Sequence, residues 1–394
     1  MSQEDMFTES ISYGPLGIIA MDSSKEMGQK VDAYISGWRK NRKSAFSDEP
    51  EYHNYQKDSY LIKASCPRFG TGEAKGVIGE TVRGKDIFII LDVCNYNLTY
   101  TVCGHENCYS PDDHFQDLKR IIAAISGHAR RITVIMPFLY ESRQHKRSSR
   151  ESLDCAIALQ ELVNMGVDSI ITFDAHDPRV QNSIPLNSFE NVPPTYQFIK
   201  ALVNNVPDLK LNPEELMVIS PDEGATGRAV YLATVLGANM GMFYKRRDYT
   251  KVVNGRNPIV AHEFLGADVT GKDVIILDDM ISSGESMIDT AKALKARNAG
   301  RIFVCSTFGL FTGGLDAFDK AYADGTIYRV VTTDLIYQKP ELLAREWYIS
   351  AGMSKYVALL IDALNHDASI SEYLSPTKRI HDFIDRVKAE RENK

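Results

Sequence analysis

The sequence predicts an α/β protein in which mainly parallel sheets carry helices on both faces. Three observations lead there. The β-rich runs, such as Ile87–Leu91 and Val274–Leu277, are continuously apolar rather than alternating, which is how strands covered on both faces read. Segments with a helical apolar period lie between them. The order strand, helix, strand then repeats down the chain. The expected strands are Gly17–Ala20, Ile87–Leu91, Ile132–Pro137, Ser169–Phe173, Leu216–Ser220, Met240–Tyr244, Val274–Leu277, Ile302–Ser306 and Tyr328–Thr332. The helix expected over Ser152–Met165 puts Ala156, Leu159, Leu162 and Val163 on one face, and Gly166 can end it. The helix expected over Met287–Asn298 aligns Met287, Ile288, Ala291 and Leu294, with Gly300 just beyond it.

At 394 residues the series is too long for one small sheet and suggests two or three domains. The expected division falls near Pro193–Pro194, after the loop Asn182–Val192. It gives an N-terminal α/β domain (1–193), a C-terminal α/β domain (194–360) and a tail (361–394). Two polar stretches, near 40–60 (Arg39–Tyr60) and near 97–113 (Tyr100–Asp113), read as insertions or long loops. The charged end Lys388–Lys394 reads as frayed. With 44% hydrophobic and 25% charged residues the composition is that of an ordinary globular protein. The net charge of −7 gives no global electrostatic case for nucleic acid or membrane as a partner. No stretch approaches the roughly 18 apolar residues of a membrane helix. Met1–Ser10 carries Glu4, Asp5 and Glu9 rather than a basic region, so no signal peptide is expected there. Six cysteines are few for a disulfide framework, and a cytoplasmic setting is expected.

The sharpest local signal is VIILDDMISSGESM, Val274–Met287. An apolar strand ends in Asp278 and Asp279, a small-residue loop follows, and an amphipathic helix begins. Ligands of open α/β sheets bind at the carboxyl ends of strands. The backbone N–H groups and hydroxyls of Ser282, Ser283, Gly284, Glu285 and Ser286 can wrap a phosphate at the positive end of the helix dipole. The two carboxylates make sense beside it if they accept hydrogen bonds from vicinal sugar hydroxyls or hold a divalent cation. A plain strand end followed by a helix capped by Ser282 or Ser283 is the alternative.

This loop resembles the ribose 5-phosphate loop of type I phosphoribosyltransferases, and the chain as a whole resembles the ribose-phosphate pyrophosphokinases. The matching pieces come in the family's order: Arg68–Glu73 with Val82–Asp86, Arg143-Gln144, Asp174-Ala175-His176 with Gln181, Ser220–Gly224, Lys245-Arg246-Arg247, the Asp278–Ser286 loop, Thr307–Gly313 and the tail Ser369–Ser375. The resemblance implies two phosphoribosyltransferase-like domains, with the tail packing back on the first. It also implies transfer of the β,γ-pyrophosphoryl group of ATP to the C1 hydroxyl of ribose 5-phosphate, giving phosphoribosyl pyrophosphate and AMP. The sugar phosphate would occupy Ser282–Ser286, with Asp278 and Asp279 near the ribose hydroxyls. Mg²⁺ would be held by His176 and Asp222. His176, Lys245 and Arg247 would be catalytic, the latter two at the start of a lid over Asp248–Gly266. ATP would be held by Arg143 and Gln144 of one chain and by Phe69 and Glu73 of a neighbouring copy in a dimer-based homo-oligomer, possibly a hexamer.

The chain departs from the family at several points. Thr71 stands where the family has an adenine-binding Asp, Ser282-Ser283 where it has Asp-Thr, Gln181–Ile184 where it has Gln-Gly-Phe-Phe, and Glu141 where it has Tyr. These departures leave a second reading, a non-catalytic regulatory subunit of an active synthetase. Taken singly, the site residues also have bland readings: Lys245-Arg246-Arg247 as a solvated basic run, His176 as a turn histidine, Arg143–Arg150 as a surface patch and Phe69 as core. Cys103, His105 and Cys108, with Cys94 and His114 nearby, are either structural or the ligands of a zinc ion.

Overall fold

The continuous apolar runs form the central strands of two parallel sheets. The computed structural model describes residues 12–42, 55–247 and 259–392. They fall into two units, Met1–Pro193 with Asp334–Tyr337 and Gly352–Ser375, and Pro194–Thr333 with Gln338–Ala351 and Pro376–Lys394.

In the first unit the strands are β1 (Leu16–Ala20), β2 (Ala64–Ser65), β3 (Val77–Ile78), β4 (Asp86–Ile90), β5 (Thr99–Val102), β6 (His105–Cys108), β7 (Arg131–Ile135), β8 (Ser169–Phe173) and β9 (Ser188–Val192). The sheet runs β1-β4-β7-β8-β9, and every neighbouring pair is parallel. Ile87, Phe88 and Ile89 are fully buried because helices cover the sheet. Helix Pro111–Ile125 starts at a capping box. Asp113 N–H donates to the Ser110 hydroxyl at 3.1 Å, and Ser110 N–H donates back to the Asp113 carboxylate at 3.0 Å. Its Phe115, Leu118, Ile121, Ile122 and Ile125 then line one buried face.

Both polar stretches read as insertions or long loops contain regular structure. Helix Lys25–Asn41 runs into the first, where buried Arg39 and Arg42 both reach Asp362; residues 43–54 lie outside the described residues. The second is an antiparallel hairpin, β5 against β6, followed by the first turn of helix Pro111–Ile125. Polarity suggested loops because a helix that buries arginines, and a hairpin with one wet strand, both lack a clean apolar period.

The tail from 361 also divides. Helix Ser354–Asn365 belongs to the first unit, whereas helix Thr377–Glu392 packs in the second, with Ile380, Phe383 and Ile384 in its core. There Arg391 donates to Leu209 O at 2.7 Å, so the chain is not frayed at that point.

Asp362 shows what anchors helix Ser354–Asn365. Its carboxylate has no exposed surface and accepts from Arg39 Nε at 2.9 Å and from Arg42 Nη2 at 2.6 Å. Burial opposes its ionisation, but the two guanidiniums outweigh burial and hold its pKa below the usual carboxylate range. Removing one partner of a buried ionic cluster strands the others in low dielectric. Asp362→Ala is therefore expected to lower stability by about 3–5 kcal/mol, read as a shift in the urea midpoint with an unchanged slope.

The second unit holds β10 (Leu216–Ser220), β11 (Asn239–Arg247), β12 (Ile259–Gly266), β13 (Asp273–Ile281), β14 (Ile302–Gly309), β15 (Arg329–Thr333) and β16 (Tyr348–Ala351). The sheet order is β12-β11-β10-β13-β14-β15-β16, parallel except where β12 runs antiparallel to β11. The stretch expected as a lid, Asp248–Gly266, is in part the edge strand β12; residues 248–258 lie outside the described residues. Lys245 and Arg247 lie at the end of β11, Arg247 as its last residue. No described helix is long and apolar enough to cross a membrane.

Candidate functional site

The order of the second sheet locates its crevice. From β10 the chain moves outward to β11 and β12, then returns past β10 to form β13 on its other side. The direction of winding reverses between β10 and β13, and ligands of open α/β sheets bind outside the carboxyl ends at such a point. Two loops leave there: Pro221–Ala225 after β10 and Ser282–Gly284 after β13.

The second loop joins the end of β13 to a helix start. Helix Glu285–Lys295 begins at Gly284, whose φ is 91° and which offers no side-chain cap. The first-turn N–H groups of such a helix attract negative charge. Ser283 Oγ sits 3.5 Å from Glu285 N, at the limit of a hydrogen bond, so capping by Ser282 or Ser283 is not what organises the turn. Glycine is needed at 284 twice over. The left-handed φ suits it, and a Cβ there would lie 2.2 Å from Phe318 Cε2. The segment after β14 braces the loop from behind: Leu310 N–H donates to Ile281 O and Thr312 N–H to Ser282 O, both at 2.9 Å. Ser283, Glu285 and Ser286 face solvent.

The carboxylates stand beside this cradle. Asp279 is buried and has Arg228 Nη2 at 3.9 Å; Asp279 N–H donates to Asp278 Oδ1 at 2.9 Å. Desolvation, then the negative charge of Asp279, and further off that of Asp222, raise the Asp278 pKa well above the usual range. Asp222 itself organises the β10 loop, its Oδ1 accepting from Gly224 N–H at 3.0 Å. Folded protein thus binds the Asp278 proton more tightly than the unfolded chain does. Stability from this group declines as pH rises above the ordinary carboxylate range, until the raised folded value is passed. Without divalent cations, Asp278→Asn is expected to stabilise the protein by about 1 kcal/mol at pH 8 and to flatten that decline. It should also raise KM for a sugar phosphate roughly tenfold or more. Thermal unfolding across pH and steady-state kinetics check both.

In the first unit Arg143, Gln144 and His176 follow the carboxyl ends of the adjacent strands β7 and β8. Gln144 donates to Ser152 O at 2.7 Å, folding the basic loop back on itself, and Arg143 is exposed. His145 and His176 lie with ring centroids 5.4 Å apart, and His145 Nε2 is 3.4 Å from Asp177 Oδ2. Phe69 and Glu73 sit elsewhere in this unit, on a tight turn beside the β5–β6 hairpin. Phe69 is 51% exposed, which removes the core reading for it. The Thr71 hydroxyl donates to Glu73 Oε2 at 3.0 Å. Among the described residues no three His, Cys, Asp or Glu side chains converge on a metal position. His114 is instead buried at 2.8 Å from Asn95 O, and Cys103 and Cys108 are exposed, so the zinc reading is dropped. His176 and Asp222 belong to different units.

The comparisons with known proteins show the family. The model for the N-terminal domain of ribose phosphate pyrophosphokinase matches residues 16–166, and that for the phosphoribosyl transferase domain matches residues 186–332. The ribose-phosphate pyrophosphokinase of Vibrio cholerae is 30% identical over 317 residues, 79% of this chain and 90% of its own. This chain belongs to the ribose-phosphate pyrophosphokinase family. The enzyme of Pasteurella multocida is likewise 30% identical, over 315 residues. A crystal structure of phosphoribosylpyrophosphate synthetase from Mycobacterium smegmatis shares the fold, with a TM-score of 0.68 at 20% identity, covering 90% of this chain and 99% of that one.

For a ribose-phosphate pyrophosphokinase, the second unit supplies parts that sequence spacing did not reveal. Arg228 approaches Asp279 from the helix Thr226–Leu236, and Phe318 fills the space behind Gly284. Both act across the fold from the loop they serve, so no local pattern marks them. Nothing in the comparisons favours the regulatory-subunit reading.

Proposed function

We propose that this chain is a Mg²⁺-dependent ribose-phosphate diphosphokinase, making phosphoribosyl pyrophosphate and AMP from ribose 5-phosphate and ATP. The observation that carries the proposal is the uncapped helix start at Gly284 beside Asp278 and Asp279, at the reversal point of the sheet. Ser282–Ser286 hold the 5-phosphate through N–H groups and hydroxyls. Asp278 and Asp279 accept from the ribose hydroxyls and so fix the sugar's orientation, which positions the C1 oxygen for in-line attack on the β-phosphorus. Lys245 and Arg247 stabilise charge on the transferring group.

Arg143 and Gln144 bind the nucleotide. Phe69 stacks on the base, with Glu73 beside it, from a neighbouring copy; the exposure of Phe69 supports that role. The carboxylate of Asp222 suits a hard cation, whereas the imidazole of His176 suits it less and acts through water or the nucleotide. Bound Mg²⁺ would offset the polyphosphate charge, with Asp222 and His176 as its expected protein ligands. We further read the protein as a cytoplasmic homo-oligomer, dimer-based and possibly hexameric. Six free cysteines fit a reducing compartment.

Incubation with ATP, Mg²⁺ and ribose 5-phosphate is expected to give AMP and phosphoribosyl pyrophosphate in equal amounts. Formation of ADP in place of AMP, or no sugar-dependent turnover, refutes the reading.

A further inference from the structure

The β5–β6 hairpin reads in sequence as an insertion with no assigned task. It is an extra pair of strands, and an isolated hairpin is marginally stable in water. Arg68, the first residue of the Arg68–Glu73 turn, packs against it. The Arg68 guanidinium lies 4.8 Å from the Tyr100 ring centroid and 4.9 Å from that of Tyr109. Its Nη2 also donates to Asp117 at 3.0 Å. Tyr100 and Tyr109 pack edge to face at 5.0 Å, and the Tyr100 hydroxyl donates to Asp113 at 3.1 Å.

Along β5 the residues alternate. Thr99 and Thr101 are exposed, whereas Tyr100 and Val102 are partly buried on the face turned to the Arg68–Glu73 turn. The turn leans on that face twice more. Cys103 N–H donates to Gly70 O at 2.8 Å, and a Cβ on Gly72 would meet Val102 Cγ2 at 3.0 Å. The turn's own closure is slight: Phe69 N–H donates to Glu73 O at 2.7 Å and Gly72 N–H to Phe69 O at 2.8 Å. A short turn with a half-exposed phenylalanine at its base needs a rigid backing to hold that ring in one place.

We propose that the β5–β6 hairpin is the positioning element of the nucleotide-base site, holding the turn so that Phe69 and Glu73 meet the base of ATP in one geometry. This rests on the reading of Phe69 and Glu73 given above and adds the element that sets their position. Tyr100 and Val102 touch no substrate; they act through the turn.

The test is binding of α,β-methylene-ATP with Mg²⁺ by calorimetry, beside steady-state kinetics on the full chain. Tyr100→Ala is expected to weaken analogue binding and raise KM for ATP roughly tenfold, within the range for a displaced stacking platform. Changes in kcat and in KM for ribose 5-phosphate should stay within about twofold. Tyr100→Phe keeps the ring against Arg68 and should restore nucleotide binding. Cys103→Pro removes the N–H that Gly70 accepts, and proline cannot adopt the φ of 48° found there. It should produce the same selective loss from the exposed tip, even if Tyr100→Ala fails to fold. The proposal is overturned if neither alanine at 100 nor proline at 103 changes analogue affinity by more than twofold, or if kcat and both KM values worsen together. It is equally overturned if Tyr100→Phe behaves like the alanine variant. A wild type that binds the analogue but makes no phosphoribosyl pyrophosphate refutes the activity alone, because the binding comparison still stands.

Discussion

Gly284→Ala is expected to remove most ribose 5-phosphate binding and to destabilise the second unit by about 2–5 kcal/mol, the sum of a left-handed alanine and an overpacked core contact. The backbone at 284 has φ of 91°, and the new methyl carbon would lie 2.2 and 2.5 Å from Phe318 Cε2 and Cζ. Phe318 cannot give way cheaply. It has no exposed surface, stacks on Trp347 at 5.5 Å and meets Phe311 edge to face at 5.2 Å. The loop must yield instead, and the first-turn N–H groups of helix Glu285–Lys295 move with it. A displacement near 1 Å in a binding loop costs roughly a hundredfold, so KM for ribose 5-phosphate should rise by about that factor. Thermal unfolding and substrate kinetics measure the two effects separately. Adding Phe318→Leu relieves the clash but not the backbone strain, so the double variant should regain part of the stability. A double variant no more stable than the single one removes the steric argument.

Lys245→Ala should lower kcat by roughly a thousandfold or more, the scale on which a cation at a transferring phosphoryl group acts. KM for either substrate should change only a few-fold. The fold should survive, since Lys245 pairs with His262 through the main chain in the β11–β12 ladder, and that pairing does not depend on the side chain at 245. Circular dichroism and the urea midpoint test survival of the fold; a single-turnover measurement of AMP formation tests chemistry apart from product release. A variant within tenfold of the parent in single turnover would take Lys245 out of the catalytic set.

Some of this was open to inspection in the residues. The buried parallel strands show as unbroken apolar runs because both of their faces need apolar side chains. The Asp278–Ser286 loop shows because strand end, carboxylates, small residues and helix start are consecutive in the chain. The hairpin Thr99–Cys108 was hidden for the opposite reason. Only Tyr100 and Val102 of β5 face protein, and β6 is exposed along its length, so its alternation is too short and too polar to stand out from a loop. Arg39 and Arg42 misled in the same way. Charged residues read as surface, yet Asp362, more than three hundred residues away, buries both of them.

Local order along the chain determined the α/β class, the family and the strand–loop–helix segment at Asp278–Ser286, since those depend on neighbours a few residues apart whose spacing sets periodicity, capping and turn chemistry. Tertiary structure decided where the sheet reverses, what stands behind Gly284, why the Asp278 pKa is raised and what packs against the turn that carries Phe69. Each of those depends on desolvation or contact between residues distant in sequence, and such contacts leave no mark on local pattern.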